Sequence, residues 1–261
     1  RLLTLLIVLL VALPLGLWVA RTVALRRGRN AIVQGQKAAV ELGCGACHGL
    51  ATGAELANPG SRFETVPRMN GGDSRLFAQS PAEITEWIRD GAPASLRADA
   101  TAWEAYQRQE IRMPAFGAAI SEGRIAQLTA YVLAANAWFV PTEEVAQRGE
   151  QIVRAQCLAC HNVGGAGGLP NPGALVPIVP GLWGPDFEDL VRSDEELREW
   201  ILDGQSRRVA SRWPVRWFWR RQLISMPSFR DRLSPEEIEA VTAYIRWLGR
   251  TRGGTLEEGS S

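Results

Sequence analysis

The sequence predicts an all-α protein: one N-terminal transmembrane helix followed by two tandem copies of a small helical domain. Three observations predict it. An uncharged apolar run lies near the N-terminus, a long segment recurs in strict register 113 residues later, and no strand-period alternation of useful length appears anywhere. The chain has 261 residues, enough for two domains of ordinary size. Charged residues make up 22% and the net charge is +1, so no overall field points to nucleic acid. With only 4 Cys, 2 His and 3 Met, a His-rich zinc enzyme and a small disulfide scaffold are both excluded.

Residues 2–20 read LLTLLIVLLVALPLGLWVA, apolar apart from Thr4, and about as long as a bilayer core requires. A cleavable signal would have a shorter apolar core of about 7–15 residues, so the run is expected to be an uncleaved anchor lying in the bilayer. Residues 1–29 are the anchor and its basic flank, Arg21, Arg26, Arg27 and Arg29. That flank alone would put the following chain in the cytoplasm.

After the anchor, residues 30–43 have the spacing of a short helix leading into Cys44. Helical patterns follow over 81–90 and 122–137. Pro141 with the cap signal Thr142-Glu143-Glu144 marks a boundary and a new helix. The first domain is expected over 30–140 and the second over 141–250, with a polar tail at 251–261. The repeat carries Cys44, Cys47 and His48 onto Cys157, Cys160 and His161. It also carries Asn58-Pro59-Gly60 onto Asn171-Pro172-Gly173, Pro67 onto Pro180, and Asp90-Gly91 onto Asp203-Gly204. Met113-Pro114 falls on Met226-Pro227, and Tyr131 on Tyr244. No gap is needed between Cys44 and Tyr131. One extra residue lies upstream, since Gly35 precedes Cys44 by nine positions and Gly149 precedes Cys157 by eight.

All four cysteines and both histidines belong to two C-x-x-C-H motifs, the pattern of c-type haem attachment. Two thiols on one helical turn can each add to a haem vinyl group, and the next residue then offers its imidazole to the iron. A thioredoxin-like C-x-x-C or half a zinc site is the alternative for one such motif; two in register argue against it. Two covalently bound haem c groups are therefore expected, with His48 and His161 as iron ligands. No histidine remains for the second axial face. Met113 and Met226 each lie 65 residues after their histidine and each opens an M-P-x-F run, so they are the expected thioether ligands, which raise the reduction potential. Met69 is the remaining candidate, but its repeat partner is Leu182, an apolar packing position.

Each copy resembles a class I cytochrome c: C-x-x-C-H after a helix, a proline loop, a middle helix, M-P-x-F, and a last helix carrying an aromatic. With the anchor, the whole resembles a membrane-anchored dihaem cytochrome c, such as the haem-c subunits of respiratory complexes, including those serving haem–copper oxidases. The resemblance implies that the carbonyls of Pro67 and Pro180 accept the Nδ1–H of the ligating histidines. In the first copy the Gly181-Leu182 that follows Pro180 is replaced by Arg68-Met69. Trp87, Trp200, Tyr131 and Tyr244 read as core packed around the haems. The resemblance also implies haem domains on the periplasmic side of the inner membrane, and it outweighs the basic flank on this point.

The function expected is relay of single electrons, not enzymic chemistry, between a quinol-oxidising or oxygen-reducing membrane complex and its redox partner, with a soluble carrier as a further candidate partner. The alternative is an electron-accepting subunit of a periplasmic dehydrogenase or hydrogenase. A dihaem peroxidase and a haem-based gas sensor each need an open iron, which two methionines argue against. Residues 207–221, RRVASRWPVRWFWRR, hold six Arg, and no acidic residue occurs between Asp203 and Asp231. The stretch reads as an Arg-rich surface loop, a docking surface, or a source of partners for haem propionates. Residues 30–145 carry 9 basic and 13 acidic groups, and residues 146–250 carry 14 and 13, so the two domains are suited to different partners.

Overall fold

The structure is a computed structural model that describes residues 10–12, 15–16, 30–49 and 55–258. It is all-α as expected: the only β pairing among the described residues is two isolated bridges, Ala57 with Thr65 and Pro170 with Ile178. One expectation is corrected. Among the described residues, no helix is long and apolar enough to cross a membrane. Of the span expected over 2–20, only 10–12 and 15–16 are described; the rest lies outside the described residues. The transmembrane helix of the predicted architecture therefore does not stand. With it go the bilayer contact, the membrane-anchored identification, the anchored form of the electron relay, and the single-pass placement in the inner membrane with its periplasmic side.

In the first unit, α1 (Ala31–Glu41) starts at Asn30, whose side chain accepts from the backbone N–H groups of Ile32 and Val33. A single turn, α2 (Gly45–His48), carries the first motif. Then follow α3 (Pro81–Asp90), α4 (Ala94–Ala98), α5 (Ala100–Gln107) and α6 (Glu122–Ala135). The second unit repeats the plan: α7 (Glu144–Gln156), α8 (Leu158–His161), α9 (Pro185–Leu190), α10 (Asp194–Asp203), α11 (Arg207–Ala210), α12 (Trp213–Trp219) and α13 (Pro235–Arg250). Helix starts follow local chemistry. Ser80 and Ser193 cap α3 and α10, and Ser234 with Glu237 forms a reciprocal capping box on α13. The cap expected at Thr142 is absent. Helix α7 begins one residue later from Glu143 without a side-chain cap, and the Thr142 hydroxyl donates to Glu258.

In each unit the first and last helices cross in close contact, α1 on α6 and α7 on α13. The crossing needs glycine. A Cβ on Gly35 would sit 1.9 Å from the Gln127 carbonyl oxygen, and one on Gly149 would sit 1.9 Å from that of Ala240. These glycines are the pair displaced by one residue in the repeat. Each unit has its own apolar cluster, one around Ile32, Ile84, Ile125 and Tyr131, the other around Val153, Trp200, Tyr244 and Trp247. The units meet at a seam. Ala166 is buried in the first unit's cluster, and Trp183 packs against both clusters. Across the seam, Asn162 donates to the Gln36 side chain at 2.8 Å and Asn30 donates to the Ala166 carbonyl at 3.0 Å. Residues 251–258 fold back here: Thr251 is fully buried, and Glu258 pairs with Arg250.

Candidate haem attachment sites

The two motifs sit on single helical turns held by the preceding helix. The amide of Cys44 donates to Ala39 and that of Cys157 to Val153. The amides of His48 and His161 donate to Cys44 and Cys157. Spacings of three and four residues on such a turn place both thiols and the imidazole on one side. All four cysteines are free and half-buried. Burial pushes the Cys44 thiol up and the Cys157 thiol up to about 11, with the neighbouring cysteine of each motif adding to the rise.

Each histidine is oriented in the same way. His48 Nδ1 lies 2.6 Å from the Pro67 carbonyl oxygen, and His161 Nδ1 lies 2.9 Å from that of Pro180. A carbonyl only accepts, so Nδ1 carries the proton and donates. The lone pair is then on Nε2, free to bind a metal. Burial lowers the His161 pKa, with the Pro180 contact opposing, which keeps the ring neutral as a ligand must be.

Met113 packs half-buried against the same cluster as Cys44 and Trp87, and Met226 against the same cluster as Cys157 and Leu158. Met69 is buried in the first cluster, with its backbone tied to His48 and Asn136. Both methionine loops are pinned in the same manner. Gly91 and Gly204, in the left-handed region, end α3 and α10 and admit the carbonyls of Met113 and Met226. A Cβ there would meet those oxygens at 2.6 and 2.3 Å.

A second clamp had no role assigned from the sequence. Asn58 and Asn171 are buried, and each binds both backbone groups of the residue two positions before the methionine. Asn58 Nδ2 donates to the Ile111 carbonyl at 2.9 Å and Oδ1 accepts from the Ile111 amide at 2.8 Å. Asn171 repeats the pair on Ile224 at 2.9 and 2.8 Å. The signal was available, since Asn-Pro-Gly recurs in register, but the bonding partner was not. Trp87 and Trp200 each donate their indole N–H to a backbone carbonyl, of Phe77 and Leu190, and so are fixed in place.

The donor set of each unit is two free thiols, an imidazole with a free Nε2 and a thioether, of which Cys44 and Met113 pack on the first apolar cluster and Cys157 and Met226 on the second. It suits a covalently held haem. Among the described residues no three His, Cys, Asp or Glu side chains gather as a metal cluster would.

Comparison with known proteins places these features. A family model described as "Cytochrome C oxidase, cbb3-type, subunit III" matches residues 144–245. Cytochrome c oxidase subunit 2 of Alkalihalophilus pseudofirmus is 31% identical over 113 residues, covering 41% of this chain and 27% of that protein. The Cbb3-type cytochrome c oxidase subunit FixP of Azorhizobium caulinodans is 25% identical over 215 residues, covering 79% of this chain and 56% of that protein. The chain thus spans about a quarter and about half of the length of these two relatives. All of these matches are to subunits of oxidases, and they bear out the expectation of an electron-transfer protein rather than an enzyme in its own right. The similarity also supports association with a respiratory redox complex, and the two Cys-x-x-Cys spacings are consistent with haem c attachment.

Proposed function

We propose that the chain is a dihaem c-type cytochrome that relays single electrons within or to a respiratory oxidase. One unit spans 30–140 and the other 141–250. Cys44 and Cys47 hold the first haem, with His48 and Met113 as axial ligands; Cys157 and Cys160 hold the second, with His161 and Met226. Pro67 and Pro180 fix the histidine tautomer. A haem held by these residues would supply a one-electron valence change. The protein's part is to aim the imidazoles, to hold the methionine loops through Asn58 and Asn171, and to pack one cysteine and the methionine of each site on an apolar cluster. A soluble electron carrier and the oxidase itself are the partners this role calls for.

One observation carries the reading: the same Nδ1–carbonyl bond, from a histidine to the proline 19 residues later, occurs in both units. The test is haem stoichiometry by the alkaline pyridine spectrum, with the intact mass. The wild-type chain should carry two haems resistant to acid acetone extraction, and the double variant Cys44→Ser/Cys47→Ser one. A wild-type chain with no covalent haem would overturn the reading.

A further inference from the structure

We propose that α12 and the loop after it form a docking face for an acidic electron-transfer protein; this rests on the electron-relay reading above. The face is built from unpaired cations and exposed rings. Arg212, Arg216 and Arg220 recur every fourth residue, so they form a stripe. All three are exposed, and none forms an ion pair among the described residues. The arginines flanking the stripe are neutralised: Arg207 and Arg208, just upstream, pair with Glu199 and Glu196, and Arg230, just downstream, pairs with Asp203. Beside the stripe, Trp213 is 77% exposed and Trp217 46%, and Arg221 lies over the Trp217 ring at 3.8 Å. Leu223 adds another exposed apolar side chain, at 74%.

The first unit is an internal control. Its α5 occupies the same place in the repeat. Where the second unit has Arg212, Trp217 and Leu223, the first has Asp99, Glu104 and Glu110, all exposed. A helix forms in both units, so neither the cations nor the outward tryptophans are needed for the fold. The core-facing position keeps its role in both. Tyr106 is buried and donates to the Gly91 carbonyl, and Trp219 packs on Trp200 at 5.7 Å.

The occupant follows from chemistry. A stripe of uncompensated arginines attracts carboxylates, which guanidinium binds in bidentate fashion, and tryptophan beside arginine is the composition of interface hot spots. A lipid surface fits less well. Membrane-lying helices separate their apolar and basic faces, whereas here each exposed ring directly follows an arginine and the helix has only 7 residues. The face also bears on the second site. Trp219, on the same short helix, packs against the cluster that holds Cys157 and Met226. A protein bound to Trp213 and Trp217 is thus joined to that cluster by a single turn of helix.

The test uses the full-length haem-loaded chain and a flavodoxin as the acidic protein probe. Binding is measured by isothermal calorimetry, and electron exchange by stopped flow. Wild type should bind flavodoxin with an affinity that falls steeply as salt rises through about 50–300 mM. The variant Arg212→Gln/Arg216→Gln/Arg220→Gln should bind roughly tenfold or more weakly and lose most of the salt dependence. Trp213→Ala/Trp217→Ala should weaken binding while keeping the salt slope, and haem content and spectrum should match wild type in both. The charge-keeping variant Arg212→Lys/Arg216→Lys/Arg220→Lys should retain the salt slope, which separates charge from misfolding. Flavodoxin binding unchanged in the Gln variant overturns the proposal. So does wild-type binding to vesicles of equal phosphatidylglycerol and phosphatidylcholine without binding to flavodoxin. A chain that binds flavodoxin through this face but carries no haem would instead overturn the electron-relay reading alone.

Discussion

Asn171→Ala tests how the methionine loop of the second unit is held. The side chain is 5% exposed and makes two bonds to Ile224, at 2.9 and 2.8 Å. Deleting it removes two neutral hydrogen bonds, at about 1 kcal/mol each. It also leaves the Ile224 N–H and C=O without partners, and each costs a further ~1 kcal/mol or more where water cannot enter the space left behind. The expected loss is therefore about 2–4 kcal/mol, the lower end applying if a water replaces the amide. Asn171→Asp should fall between. Its carboxylate still accepts from the Ile224 amide but faces the Ile224 carbonyl with no proton to donate. Urea unfolding followed by tryptophan fluorescence gives the stability, and the thioether–iron charge-transfer band reports whether Met226 is released first. In the first unit Asn58→Ala should behave alike, its additional 3.4 Å contact with Gln109 being long for a hydrogen bond. A loss below about 0.5 kcal/mol for Asn171→Ala, with the band intact, would refute the reasoning, since no clamp worth two bonds could then exist.

Gly149→Ala should destabilise the second unit by about 2 kcal/mol or more despite a helix-propensity gain near 1 kcal/mol, because the new methyl would lie 1.9 Å from a carbonyl of α13; a denaturation midpoint at or above wild type would contradict the crossing. Met113→Leu should abolish one thioether–iron band and let the reduced chain bind carbon monoxide at one site, whereas Met69→Leu should cost under about 1.5 kcal/mol and leave both bands; the opposite result would transfer the ligand role to Met69. Glu196 is buried, which by itself raises its pKa, but hydrogen bonds from Arg208, the Arg192 amide and Ser206 outweigh burial and hold it below the ordinary 4.5. The unfolded chain then binds the extra proton, so this stabilisation is present above pH 4.5 and fades as pH falls through the lower folded value. The stability gap between wild type and Glu196→Gln should accordingly be widest near neutrality and shrink on acidification; a gap independent of pH would refute it.

What the sequence made legible follows how tightly chemistry ties residue type to spacing. Two thiols and an imidazole must share one turn, so Cys44, Cys47 and His48 announce themselves, and the repeat carries each inference to Cys157, Cys160 and His161. The roles of Asn58 and Asn171 were not legible, because an amide 53 residues from its backbone partner leaves no local pattern. The cap on α7 failed as well. Thr142 has the composition of a cap, but the helix starts one residue later, from Glu143, while the Thr142 hydroxyl reaches the distant Glu258. The seam was hidden too. Gln36 lies on the helix before the first motif, and nothing nearby in sequence tells it to reach Asn162.

The departures from the repeat explain why two near-copies are more than one unit used twice. Positions that build the attachment sites are kept: the two cysteines, the histidine, the proline whose carbonyl orients it, the clamping asparagine, the glycine that admits the methionine. Change is found where each unit faces something different. After the first motif stands Gly49, in the left-handed region at φ 59°. After the second stands Asn162 at φ 63° and ψ 171°, outside the left-handed helical region and in a conformation nearly confined to glycine, which costs asparagine roughly 1–3 kcal/mol. The exchange has a use that glycine could not serve, since the Asn162 amide reaches across the seam to Gln36. The residue directly after the second iron-ligating histidine is thereby bonded to the helix that leads into the first motif. Val163, next in line, packs into the first unit's cluster. The second attachment turn is therefore fixed by the first unit as well as by its own. On the proposed electron-relay reading, that shared hold keeps the separation of the two attachment turns constant, which two units on a flexible linker could not do.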